Sequence, residues 1–155
     1  MSISDTIQRD IVIAAPIEKV WDTVSVPGWW INTGDAIDLS IVEWTGENSA
    51  TVRHPQHGTF DIERFDVNAP RSVSFRWLVS GAEHGVDRAS APDQFLHTVV
   101  TFTLDDDEAG IRLSVVESGF ATAVMDETAR KRAYEGNTEG WAVEIALIKT
   151  HVEKQ

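Results

Sequence analysis

Ser72-Val73-Ser74-Phe75-Arg76-Trp77-Leu78-Val79 places Val73, Phe75, Trp77 and Val79 on one side of an extended chain and Ser72, Ser74 and Arg76 on the other. Side chains alternate across a strand with a period of two, so this stretch is a half-buried antiparallel strand with large aromatics facing a core. Working outward, the same pattern recurs. Upstream, Ala36 to Trp44, Ala50 to His54 and Thr59 to Val67 read as strands between turn signals; downstream, Phe95 to Leu104 and Ile111 to Ser118 do so. In that last pair Val100, Phe102 and Leu104 alternate with threonines, and Ile111, Leu113 and Val115 alternate with Arg112 and Ser114. The acidic turn Asp105 to Gly110 joins them as a hairpin.

Toward the N-terminus, Ile7, Ile11 and Ile13 share one face of a first strand over Ile7 to Ala14, which brings the expected total to seven. Pro16 ends it and opens a short amphipathic helix carrying Ile17, Val20, Trp21 and Val24, because a proline at a helix start sacrifices no hydrogen bond. Pro27-Gly28 breaks that helix, leaving Trp29 and Trp30 on a connector before the turn Asn32-Thr33-Gly34. Toward the C-terminus, Tyr134, Trp141, Ile145, Ile148 and Val152 recur near helical spacing, with Glu135, Glu139, Glu144, Lys149 and Glu153 mostly on other faces. This predicts a long helix. Gly136 and Gly140 interrupt it at about 1 kcal/mol each relative to alanine, so a close approach to the sheet is expected there. Ser80 to Gln94 has no periodic pattern and reads as a mobile loop or a lid. The fold class expected is α+β: one domain over 1–155, in which a curved antiparallel sheet wraps the long C-terminal helix, with short helices between the first two strands.

Composition narrows the function. A chain of 155 residues, 42% hydrophobic and 25% charged, has the balance of a globular protein with one core. There is no cysteine, which removes disulfides, thiolate nucleophiles and thiolate metal sites. A formal net charge of −12 repels phosphate backbones and anionic lipid, so neither nucleic acid nor a membrane is an expected partner. Met1-Ser2-Ile3-Ser4-Asp5 has no basic region followed by an apolar run, and no stretch approaches a spanning length; the expected location is the cytoplasm.

The order strand, helix, connector, six strands, long helix resembles the helix-grip fold of the START and birch-pollen-allergen-like (SRPBCC) superfamily. Shorter strings are more specific. Ala15-Pro16-Ile17-Glu18-Lys19-Val20-Trp21, Gly58 with Phe60-Asp61-Ile62, and Pro70-Arg71-Ser72-Val73-Ser74-Phe75-Arg76-Trp77 look like the family named after the activator of the heat-shock-protein-90 ATPase. Ile111 to Phe120 and Gly140-Trp141 with Ile145, Ile148 and Lys149 agree, so the resemblance spans nearly the whole chain. It implies a fold and a cavity with varied ligands; activity is not implied by fold.

Trp30, Phe60, Phe75, Trp77, Phe102, Phe120, Tyr134 and Trp141 either line a ligand pocket or fill a core, with Leu113, Val115 and Ile145 beside them. Glu117 shares parity with Leu113 and Val115 and so points from the inner face near the strand end, where it is either partly desolvated or wetted. If buried, its pKa rises unless Arg64, which shares parity with Phe60 and Ile62, or His97 stabilises the charge. His54 and His57 near Asp61 and Glu63, and the run Asp105 to Glu108, read as turns rather than metal sites. With five scattered histidines and no catalytic or phosphate-loop motif, neither cofactor nor metal is expected. The leading expectation is a binding module for a small apolar or aromatic molecule, with Glu117 and Tyr134 at its polar end, as a monomer or homodimer. Open alternatives are a cyclase, hydrolase or dehydratase using Glu117 as general acid or base, and a chaperone-associated stress-response protein.

Overall fold

The structure is a computed structural model, which describes residues 6–32, 34–55, 58–78, 97–119 and 127–154. Within them the order is β1 (Thr6–Ile13), α1 (Ile17–Val24), a 3-10 turn (Leu39–Ile41), β2 (Val42–Trp44), β3 (Ser49–His54), β4 (Gly58–Asn68), β5 (Ser72–Leu78), β6 (His97–Asp107), β7 (Gly110–Ser118) and α2 (Glu127–Glu153). The expected loop Ser80 to Gln94 lies outside the described residues.

All seven strands form one antiparallel sheet in the order β1-β7-β6-β5-β4-β3-β2. Period-two alternation sends Val73 and Phe75 of β5, Val100, Phe102 and Leu104 of β6, and Ile111, Leu113 and Val115 of β7 to one face, where all are buried. The opposite face is polar: Ser74 and Thr101 hydroxyls lie 2.9 Å apart, and Arg76 donates to Glu63 at 2.6 Å. The inner face receives α2, whose Trp141, Ile145, Ile148 and Val152 are buried at helical spacing. This is the arrangement that the sequence resemblance implied.

Two regions differ from expectation. Ala36 to Trp44 is not one strand: only Val42–Trp44 pairs, because the Asp38 carboxylate accepts from the Ser40 N–H at 3.0 Å and curls the chain into the 3-10 turn. A short polar side chain bonding its own backbone competes with a ladder bond. Nor do Gly136 and Gly140 mark a close approach to the sheet, since among the described residues a Cβ added at either meets nothing within 4 Å.

Gly28 carries the packing constraint instead. Its φ is +79°, and an added Cβ would lie 2.4 Å from Val52 Cγ2 and 3.0 Å from Ile62 Cδ1. Only glycine lets the chain turn there against β3 and β4, which lays Trp29 and Trp30 into the core. At the far end α2 is tied to β1: Lys149 donates to the Val12 carbonyl at 2.8 Å, and Glu153 accepts from the Ala14 N–H at 2.8 Å. No described helix is long and apolar enough to cross a membrane.

Candidate functional site

Strand parity carries Glu117 inward with Ile111, Leu113 and Val115, and its side chain is 0% exposed. It pairs with Val100 on β6 and Ile7 on β1, near the end of the sheet where β7 finishes. Its carboxylate is held from two layers. Thr98 Oγ1 on β6 donates to Oε2 at 2.5 Å, while Trp141 Nε1 and Asn137 Nδ2 donate to Oε1 at 2.8 and 3.0 Å. Asn137 and Trp141 are four residues apart on α2, so one helical face presents both donors to the same oxygen. Hydrogen bonds to a charged group contribute about 1.5–3 kcal/mol each, and a buried carboxylate stripped of them costs more than that. Glu117 therefore fastens α2 to β7, which carries it, and to the neighbouring β6.

Arg64 does not reach it. Parity puts Arg64 on the row that runs through Phe75, Val100 and Glu117, but parity specifies a face and not a distance. Two strands intervene, and at the usual strand spacing that is roughly 14 Å. Its guanidinium instead donates to the carbonyls of Ser25 and Glu47 at 3.0 and 3.1 Å and to Asn48 Oδ1 at 3.1 Å, and lies 5.0 Å from the centre of the Trp44 ring. It fastens the end of α1 to the β2–β3 turn.

Around the Glu117 network the aromatic side chains form a continuous cluster. Trp141 meets Trp30 and Phe102 at centroid distances of 5.8 Å each, and Trp30 meets Phe75 at 5.2 Å. Phe60, Leu113, Val115 and Ile145 are buried in the same core. Phe120 lies outside the described residues, as do the side chains of Trp77, His97 and Tyr134. Trp29, absent from the expected set, is fully buried in the centre of the cluster at 5.4 Å from Phe102 and 6.5 Å from Trp141. Its indole N–H has no acceptor among the described residues. Buried donors are nearly always satisfied in native proteins, and an unmet one costs about 1–3 kcal/mol.

A second inward carboxylate was also absent from the expected set. Glu144 is only 8% exposed, and its Oε1 accepts from Asn32 Nδ2 at 2.7 Å, while Asn32 Oδ1 accepts from the Gly34 N–H at 2.8 Å. Burial pushes the Glu144 carboxyl up to about 7, against the lowering effect of the Asn32 amide. The signal was legible: position 144 stands three residues after Trp141 and four before Ile148, which is the apolar stripe itself. Thr98 likewise shares parity with Val100 and Phe102, and Asn137 precedes Trp141 by one helical turn.

Among known protein families, the sequence model described as Activator of Hsp90 ATPase homolog 1-like protein matches residues 14–153. No curated protein matches the chain by sequence. Among solved structures, protein MLL2253 from Mesorhizobium loti is 21% identical with a TM-score of 0.70, covering 97% of this chain and 98% of its own. The Aha1 dimer from Colwellia psychrerythraea, solved in solution, is 17% identical with a TM-score of 0.65 and 97% of each chain covered. DynU16, encoded in the dynemicin biosynthetic locus, is 19% identical with a TM-score of 0.64; the match covers 97% of this chain and 48% of DynU16. At these identities the likeness is one of fold.

Proposed function

The chain belongs to the Activator of Hsp90 ATPase homolog 1-like family, and on that premise we propose that it binds a small molecule with an aromatic or apolar body between the sheet and α2. The observation that carries this reading is the Trp29 indole N–H, fully buried in an aromatic cluster with no acceptor among the described residues. A core built only for stability satisfies its donors or replaces them with apolar groups of the same shape. An interior acceptor on a bound molecule would meet it. Glu117 and its donors, buried beside the same rings, supply the few polar groups that orient a ligand in an otherwise apolar site. We read the role as binding, with Glu117 as the fixed polar end.

Titration with N-phenyl-1-naphthylamine, a neutral apolar dye that fluoresces when removed from water, tests this. The expected result is saturable binding at one site per chain, accompanied by quenching of the buried tryptophans. If the folded protein, verified by its melting curve, shows neither saturation nor quenching, the binding reading is wrong.

A further inference from the structure

Two neighbouring tryptophans of the core differ in how their indole nitrogens are met. Trp141 Nε1 donates across from α2 to Glu117 Oε1 at 2.8 Å. Trp29, whose ring centre is 6.5 Å from that of Trp141, is 0% exposed, and its Nε1 has no acceptor among the described residues. The same cluster thus supplies an acceptor to one indole and withholds it from the next. Leaving a buried donor unmet is costly, so the vacancy calls for a group that comes from outside the chain.

Trp29 is also held where it is. The chain turns into the core at Gly28, with φ +79°, and the next bonds pin it: the Trp29 N–H to the Val26 carbonyl at 3.4 Å and the Ile31 N–H to the Gly28 carbonyl at 3.0 Å. Asn32 Nδ2 then donates to Glu144 on α2 at 2.7 Å, which fixes the far end of the connector. The indole lies edge-on to Trp30, with centroids 5.9 Å apart, and 5.4 Å from Phe102. A donor so fixed is pre-organised, and an acceptor that reaches it loses little to ordering the protein.

Resting on the binding reading above, we propose that the ligand is a neutral aryl carbonyl compound, such as an aromatic ketone or quinone, whose oxygen accepts the Trp29 Nε1–H. The donor requires an acceptor, which a plain hydrocarbon or a protonated amine does not offer. The surrounding rings favour a flat aromatic body, which packs against indole and phenyl faces in offset or edge-on contact. Neutrality follows from desolvation, because a carboxylate buried among rings with one N–H to meet it loses far more hydration than a carbonyl does. The net charge of −12 also repels anions before they arrive.

Three naphthalenes of nearly one shape test this by equilibrium dialysis against the full chain at neutral pH: 2-acetylnaphthalene, its alkene counterpart 2-isopropenylnaphthalene, and 2-naphthoate. The ketone is expected to bind about tenfold more tightly than the alkene, with the carboxylate weakest. Trp29→Phe keeps a ring and removes the donor, and should bring the ketone to within about threefold of the alkene. In protein labelled with nitrogen-15 at its six tryptophans, the ketone should move one indole N–H resonance downfield and the alkene should not, a readout that stands even where Trp29→Phe fails to fold. Equal affinity for ketone and alkene, tightest binding of the carboxylate, a ketone preference that survives in folded Trp29→Phe, or indole resonances that do not distinguish ketone from alkene overturns the carbonyl assignment. So does failure of all three naphthalenes while N-phenyl-1-naphthylamine still binds, which leaves the pocket standing. Failure of the naphthalenes and the dye together removes both.

Discussion

Glu144 shows how one residue converts burial into a pH response. Its folded value, about 7, lies above the ordinary 4.5, so folding favours the protonated acid. The sign follows from linkage: the stabilisation is complete below about 4.5 and is lost as pH rises through about 7. Glu144→Gln keeps an oxygen for the Asn32 amide and removes the charge. In urea melts it should therefore stabilise the protein at pH 8 by about 1–2 kcal/mol, after allowance for solvent screening, and by little at pH 4.5. A variant whose pH 8 gain equals its low-pH gain would show that the buried charge is not the cause. At this scale the sequence was only partly legible. Alternation placed Glu117 on the inner face, where it lies, but it could not tell that two strands separate Arg64 from it, because side-chain period holds no information on strand order. Glu144 is harder to read, because charge ordinarily marks solvent, although its spacing from Trp141 and Ile148 puts it on the buried stripe.

At the level of the element, α2 carries a cost that the packing does not require. Gly136 and Gly140 lie within the helix, and a Cβ at either would meet none of the described residues. Gly136→Ala and Gly140→Ala should each stabilise the protein by about 0.5–1 kcal/mol in denaturant melts, through helix propensity alone. A loss of stability would mean that the backbone there needs a conformation only glycine adopts. Gly28 is the reverse case, with a positive φ, a contact to Val52 closer than a Cβ tolerates and a tight one to Ile62, and Gly28→Ala should cost about 2–4 kcal/mol in the same melts. Long helix, hairpins and connector were all readable from period and punctuation. The shortening of β2 was not, because Ile37, Leu39 and Ile41 mimic strand alternation while Asp38 bonds to Ser40. Local side-chain chemistry wins where a strand has an edge to lose.

For the whole molecule, the order of elements was legible and the neighbour relations were not. Nothing in a hydrophobic pattern says that the first strand lies beside the last, yet β1 pairs along its full length with β7. The net charge of −12 also acts on the molecule as a unit, through repulsion that the compact state concentrates. Raising sodium chloride from low millimolar to about 0.3 M should screen it and lift the melting temperature by about 2–4 °C. An unchanged or lowered melting point would show that local ion pairs outweigh the global field. The β1–β7 pairing has a bearing on birth as well as on stability. On the ribosome the opening segment emerges long before the strand that completes it, and the tether from Ala14 to Glu153 spans 139 residues. A nascent chain can pair β2 through β7 one after another, but β1 has no partner until β7 has been made, so the first strand of the chain is the last to join the sheet.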